Sequence, residues 1–185
     1  ELAFEISVSA RYGDSLIRKL MQVGKEFQIC PYGTEALGVM RIEKGHVAGN
    51  EINGQTTAKN LGLGRMVSSK KDCIGSVLSL RDDLTDAAGF RLVGVKPSSS
   101  KDILSTGAHF LATDAMPELE NDEGWISSSA YSPTIGSSIG LGFLKRGNER
   151  LGETLRAVDL VNDKDVEVQI VEQHFFDPDG TRMYG

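Results

Sequence analysis

Cysteine is scarce in this sequence. Cys30 and Cys73 lie far apart with no second cysteine near either, so neither a zinc-type ligand cluster nor a disulfide framework is suggested, and the pair reads as two reduced thiols in a cytoplasmic protein. Basic runs are equally lacking. None is longer than Lys70-Lys71, and 20 Lys and Arg are outnumbered by 26 Asp and Glu, for a net charge of −6; nucleic acid and anionic membrane surfaces both call for a basic stripe and are excluded as partners. No window approaches the roughly 18 to 20 apolar residues of a membrane span, and no basic-then-apolar signal segment opens the chain. His46, His109 and His174 are scattered without metal-ligand spacing. Gly62-x-Gly64 is too short for a dinucleotide fingerprint and Gly136 to Gly142 lacks a P-loop lysine, so both read as close turns. Asp177-Pro-Asp-Gly180 is a turn without the closing glutamate of a calcium loop.

At 185 residues the chain is long enough for one large domain or two small ones, and the pattern favours two. The first part mixes elements. Leu2 to Val8 is an apolar strand-like run, Asp14 to Val23 carries Leu16, Ile17, Leu20, Met21 and Val23 at helical spacing before Gly24, and Thr34 to Lys44 repeats the helical pattern with Thr34 as N-cap and Gly45 as terminator. A short helix capped by Thr56 or Thr57, a strand over Arg65 to Ser68 and a helix from Ile74 to about Leu80 capped by Asp72 complete it. Because the first element is an apolar strand that needs neighbours on both sides, exposed apolar surface or an unpaired edge is expected near residues 1–60. After the polar break at Asp82, Asp83, Thr85 and Asp86 the runs become short, β-branched or glycine-punctuated: Arg91 to Lys96, Ala108 to Ala112, Trp125 to Tyr131, Ile139 to Leu144, Thr154 to Asp159 and Asp165 to His174. Turn signals between such runs predict a small antiparallel barrel or sandwich, with Trp125 and Tyr131 filling the barrel core and a ligand edge beside Tyr131 as the alternative.

Two pieces of chemistry stand out. Glu5, between Phe4 and Ile6, faces away from its neighbours in a strand; it is either exposed on the wet side of a sheet or available to accept two adjacent donors of a flat heterocycle. Arg41 falls in the last turn of the second helix, where it meets the negative end of the dipole and Glu43 or Glu51, or else serves a ligand. Between Pro31 and Glu51 the chain packs this arginine among carboxylates and glycines.

These pieces resemble the aminomethyltransferase, or glycine cleavage T-protein, family. The Phe4-Glu5-Ile6 context is that of the family's pterin-binding glutamate, and Met40-Arg41-Ile42-Glu43, Gly45 and Gly49-Asn50-Glu51 occupy the places of its Leu-Arg-Leu-Glu, glycine loop and Gly-x-Glu units. The family's usual Ala-Arg-Asp is missing. Instead Pro31-Tyr-Gly-Thr-Glu-Ala-Leu37, Glu43-Lys-Gly-His-Val-Ala-Gly-Asn-Glu51, Asn53-Gly-Gln-Thr-Thr57, Gly62-Leu-Gly-Arg-Met66, Lys70-Lys-Asp72, Ser132-Pro-Thr134 and Ile139-Gly-Leu-Gly142 are similar to the branch formed by alpha subunits of heterotetrameric sarcosine oxidases.

The resemblance implies an α+β chain: a partial aminomethyltransferase-like folate-binding domain over 1–82, an incomplete ferredoxin-like α/β layer, followed by a small antiparallel β-barrel over 88–185. It further implies tetrahydrofolate as the ligand of Glu5 and Arg41, with Arg41 either touching it or orienting an acidic group. FAD, FMN and NAD would sit elsewhere in the whole enzyme, other sarcosine oxidase subunits would be partners, and the family's catalytic aspartate would precede residue 1, leaving no catalytic or metal-binding residue here. Two other functions stay open: a free aminomethyltransferase of the glycine cleavage type, and a structural assembly module that no longer binds folate.

Overall fold

A computed structural model describes residues 3–68 and 70–184. Its organising element is a closed antiparallel barrel of six strands, β1 (Phe90–Pro97), β2 (His109–Leu111), β3 (Gly124–Ser132), β4 (Ser137–Lys145), β5 (Thr154–Asp159) and β6 (Lys164–Val171), hydrogen-bonded in the order β1-β4-β3-β2-β5-β6 and shut by β6 against β1. The six expected strand runs all lie here. Closure leaves no free sheet edge, which a chain with short strands otherwise has to protect.

Strand composition decides which faces are covered. β6 alternates through Val166, Val168 and Ile170 and buries one face, whereas β1 and β4 are buried almost continuously because something packs on both of their faces. The barrel interior holds Val93, Val95, Phe110, Ile126, Leu144, Leu155, Val168 and Ile170. On β4 the interior-facing side carries Gly140 and Gly142; a Cβ at Gly142 would come within 2.9 Å of the Phe110 ring, so the glycine makes room for that ring. The bulky residues of β4, Ile139, Leu141 and Phe143, point outward instead, into a second apolar cluster with Leu92, Ile42 and Leu61.

This second cluster joins the two parts of the chain. Helix α1 (Gly13–Val23) lies before it in sequence, and helix α2 (Thr34–Glu43) packs on β3 and β4. The loop after α2 follows it down onto the barrel: the Leu92 N–H donates to the Asn60 carbonyl at 2.8 Å, and Asn60 Nδ2 donates to the Phe90 carbonyl at 2.8 Å. From the other side the residues after β6 return over the end of α2, where Phe175 and Phe176 N–H groups both donate to the Glu43 carbonyl. Gly45, at φ +71°, ends α2 there; a side chain at this position would lie 2.5 Å from the Gln173 carbonyl oxygen. A single-turn helix α3 (Asp82–Thr85) leads into β1.

Several expectations for the first part are corrected. Residues 3–8 form no strand and are exposed, with Phe4 at 79% and Ile6 at 55%, while Leu2 lies outside the described residues. A strand requires an edge to pair with, and every ladder among the described residues is spent within the closed barrel, so the strand component of the expected α/β layer is not formed. Arg65 to Ser68 is a 3₁₀ turn (Gly64–Met66) running into coil, Ile74 to Leu80 is a set of turns ending in a 3₁₀ turn (Leu78–Leu80), and the segment after Thr57 is closed by Thr57 and Asn60 side chains rather than as a helix. Thr34 is the first residue of α2 rather than its cap, a place taken by Gly33; α1 ends at Val23 with Gly24 as its C-cap, as expected, and a 3₁₀ turn (Gly24–Phe27) follows that stops at Gln28 with positive φ. The expected exposed apolar surface is present, at Phe4, Ile6, Phe27, Tyr32 and Ile52.

Trp125 and Tyr131 do not fill the barrel. Ile126 takes the interior position, so strand parity turns Trp125 outward into the joining cluster, 5.0 Å from Phe90 and 5.3 Å from Phe143 between ring centres. Tyr131 is 56% exposed. No helix among the described residues is long and apolar enough to cross a membrane.

Candidate functional site

The face where α2 meets the barrel carries a buried polar network beside an open cleft. Arg41 and Glu51 are brought together by the return of the chain after α2: Arg41 Nη1 donates to Glu51 Oε2 at 3.0 Å, and the Ala48 N–H donates to the same oxygen at 2.8 Å. The other oxygen is served by the barrel. Between Ile126 and Ser128 the β3 ladder carries a bulge, with Ser127 as the extra residue. A bulge breaks the alternation of side chains, and here Ser127 Oγ and Ser128 Oγ both donate to Glu51 Oε1, at 2.7 and 2.6 Å. Ser128 Oγ in turn accepts from Arg41 Nη2 at 2.5 Å. Asn50 Nδ2 adds a bond to the Ser127 carbonyl at 3.2 Å.

Four donors thus converge on a carboxylate that is wholly withdrawn from solvent, the arrangement in which a buried charge is tolerated. Burial by itself would lift the Glu51 carboxyl; the hydroxyls of Ser128 and Ser127, the Ala48 N–H and the Arg41 charge outweigh it and hold the group below the ordinary glutamate value. Arg41 is different. A fifth of its side chain, 20%, stays open, and it lines a cleft of about 1010 Å³. One wall is α2, from Gly33 to Glu43; the other is the end of β3 and its hairpin, Ser129 to Tyr131 with Pro133 and Thr134.

The cleft is anchored at its far end as well. Ser132 Oγ donates to the buried Glu43 Oε1 at 2.5 Å. Lys44 Nζ reaches the Asp177 carboxylate at 3.0 Å, and the Lys44 carbonyl is within 2.9 Å of His174 Nδ1. Each contact ties α2 either to the barrel or to the segment that follows it. The cleft is large enough for a cofactor-sized molecule, and it offers a guanidinium, a tyrosine and an apolar wall.

Of the two residues singled out from sequence, Arg41 stands at this cleft, paired with one of the two carboxylates named for it, Glu51. Glu5 lies on the exposed segment before α1, which forms no regular element, and outside the lining of the cleft. Sequence reasoning missed Ser127, Ser128 and Ser132. The signal for the first two was the run Ser127-Ser128-Ser129 inside an otherwise apolar strand, where three small hydroxyls in succession cannot all face one side of a regular ladder.

Residues 1–71 match the family GCVT N-terminal domain, and residues 91–177 match the glycine cleavage T-protein C-terminal barrel domain. Both parts of the chain therefore carry a glycine cleavage T-protein domain. It is 42% identical over its full length to a sarcosine oxidase subunit alpha from Rhizobium meliloti, of which it spans 19%. It is 32% identical over 155 residues to an aminomethyltransferase from Aquifex aeolicus, covering 80% of this chain and 40% of that one. The glycine cleavage system aminomethyltransferase T of Bartonella henselae has the same fold: its crystal structure superposes with a TM-score of 0.71 at 19% identity, over 90% of this chain and 44% of that one.

Proposed function

We propose that the cleft between α2 and the barrel receives tetrahydrofolate, and that the chain is the folate-binding part of a sarcosine oxidase alpha subunit, in which the one-carbon unit released from sarcosine passes to tetrahydrofolate. The observation that carries this reading is Arg41: its guanidinium is fixed from behind by Glu51 and Ser128 and open in front to a cofactor-sized cleft. Similarity to sarcosine oxidase alpha subunits and to aminomethyltransferases supports the ligand class. Glu5 is assigned to the amide edge of the pterin on its Phe4-Glu5-Ile6 context alone, as a carboxylate that accepts two adjacent N–H donors. FAD, FMN and NAD belong, on the same resemblance, to other parts of the enzyme, and the other subunits of a sarcosine oxidase are its partners in a cytoplasmic assembly.

The test is titration of the intact protein with tetrahydrofolate. Glu5→Gln puts an amide donor against a pterin donor, and losing a charge-assisted bond costs on the order of 1.5–3 kcal/mol, so affinity falls more than tenfold while sarcosine oxidation persists. Unchanged affinity removes Glu5 from the site.

A second reading, a barrel serving chiefly as an assembly surface, is favoured by one observation. Leu119, Leu160 and Val161 are 71–93% exposed around one apolar depression of the barrel, the kind of patch that marks a protein contact. Full subunit assembly by a Leu160→Lys, Val161→Lys variant would count against it.

A further inference from the structure

We infer that Glu51, with the two hydroxyls of the β3 bulge, is a positioning residue for the ligand site: it sets the direction in which Arg41 faces the cleft, so that the barrel acts on the ligand through Arg41 without touching it. The inference rests on the reading of the cleft as a tetrahydrofolate site.

The geometry carries it in three steps. A guanidinium has five N–H donors in one plane. Among the described residues, Nη1 donates to Glu51 Oε2 at 3.0 Å and to the His46 carbonyl at 3.4 Å, and Nη2 donates to Ser128 Oγ at 2.5 Å. Three bonds at one end fix the plane, and the remaining Nε–H and Nη2–H are left for acceptors on a bound molecule. Second, Glu51 makes no contribution to the lining of the cleft and is fully buried, so its influence on a ligand has to pass through Arg41. Third, the bulge has a consequence that a regular strand lacks. Without the extra residue, Ser127 and Ser128 would point to opposite faces; with it, both reach Oε1 of the same carboxylate, and Ser128 closes the ring by accepting from Arg41. A carboxylate held by two hydroxyls and a backbone N–H cannot swing with the arginine, so the arginine is held by it.

A merely structural role for Glu51 would weaken any property of the fold, whatever stands at position 41. A positioning role works through Arg41 alone. The experiment is therefore a cycle of tetrahydrofolate titrations on the intact protein: wild type, Glu51→Gln, Arg41→Met and the double variant. Glu51→Gln keeps the volume and removes the charge. It is expected to weaken binding about ten- to hundred-fold when Arg41 is present and to add nothing in the Arg41→Met background. Ser128→Ala, which leaves the Glu51 charge in place, should give a smaller loss of the same kind and keeps the inference testable if Glu51→Gln fails to fold. Equal losses in both backgrounds, or no loss in the first, would overturn it. If the wild type does not bind tetrahydrofolate, the reading of the cleft fails, and a crystal structure of Glu51→Gln then decides the inference by itself: Arg41 displaced from its wild-type direction supports positioning, and Arg41 unmoved overturns it.

Discussion

The two main helices of the first part are of nearly equal length, 11 residues in α1 and 10 in α2, yet they have opposite fates. α1 has the cleaner apolar stripe, through Leu16, Ile17, Leu20, Met21 and Val23, and buries none of these residues. α2 has a blurred pattern that includes Gly38, Arg41 and Glu43, and it buries Ile42 and Glu43 against the barrel. Periodicity specifies that a helix forms; what the helix docks on is specified elsewhere. For α2 that is the outward face of β4, the Glu51 network, and the segment after β6 that covers Gly45.

The comparison breaks first at the buried charge. Glu51→Ala removes one partner of a buried pair and leaves Arg41 and two serines facing a void, a change that commonly costs about 3–5 kcal/mol. Trp125, the single tryptophan, sits in the joining cluster and reports the loss directly; denaturant titration followed by its fluorescence should show a large downward shift of the midpoint. Next comes packing. Ile42→Ala empties a site in the same cluster and should cost about 2–5 kcal/mol, whereas Ile17→Ala on half-exposed α1 should stay within about 0.5 kcal/mol. Comparable losses at the two positions would mean that α1 is as firmly docked as α2.

Acid should act on one helix only. The Glu51 carboxyl is held below its ordinary value near 4.5. Its stabilising effect is therefore complete above that value and is lost as pH falls through the lowered one. The joining cluster, read by Trp125 fluorescence, should loosen in that acid range, and Glu51→Gln should reduce that dependence. The smallest effect is expected at the exposed apolar residues. Phe4→Ser and Ile74→Ser alter side chains that are 79% and fully exposed and should change stability by less than about 0.5 kcal/mol.

The barrel was legible because its six runs carry their own turn signals, and a strand inside a closed sheet depends on little beyond its neighbours. The inward and outward assignment was less so. Trp125 looked like a core residue, and only its parity with Ile126 shows that the apolar outer face of the barrel had to be covered. Residues 3–8 of the expected first strand failed for a related reason: a strand-like run is only a strand where an edge is free, and the barrel leaves none. At the site, a carboxylate partner for Arg41 could be read as Glu43 or Glu51, and the structure selects Glu51. Ser127 and Ser128 were signalled only by the run of three serines, and their common direction comes from a one-residue bulge whose place that run does not fix. Glu5 was read from the Phe-Glu-Ile context and stands apart from the cleft lining.

Hydrogen exchange of the intact protein, with and without saturating tetrahydrofolate, reads α1, α2 and the barrel in one experiment and decides whether the cleft in front of Arg41 is the folate site. Added protection of backbone amides is expected in residues 34–51 and 129–134, the two walls of the cleft and the network behind them, with residues 109–123 at the far side of the barrel unchanged. Protection confined to other parts of the chain, with 34–51 exchanging as before, would contradict it.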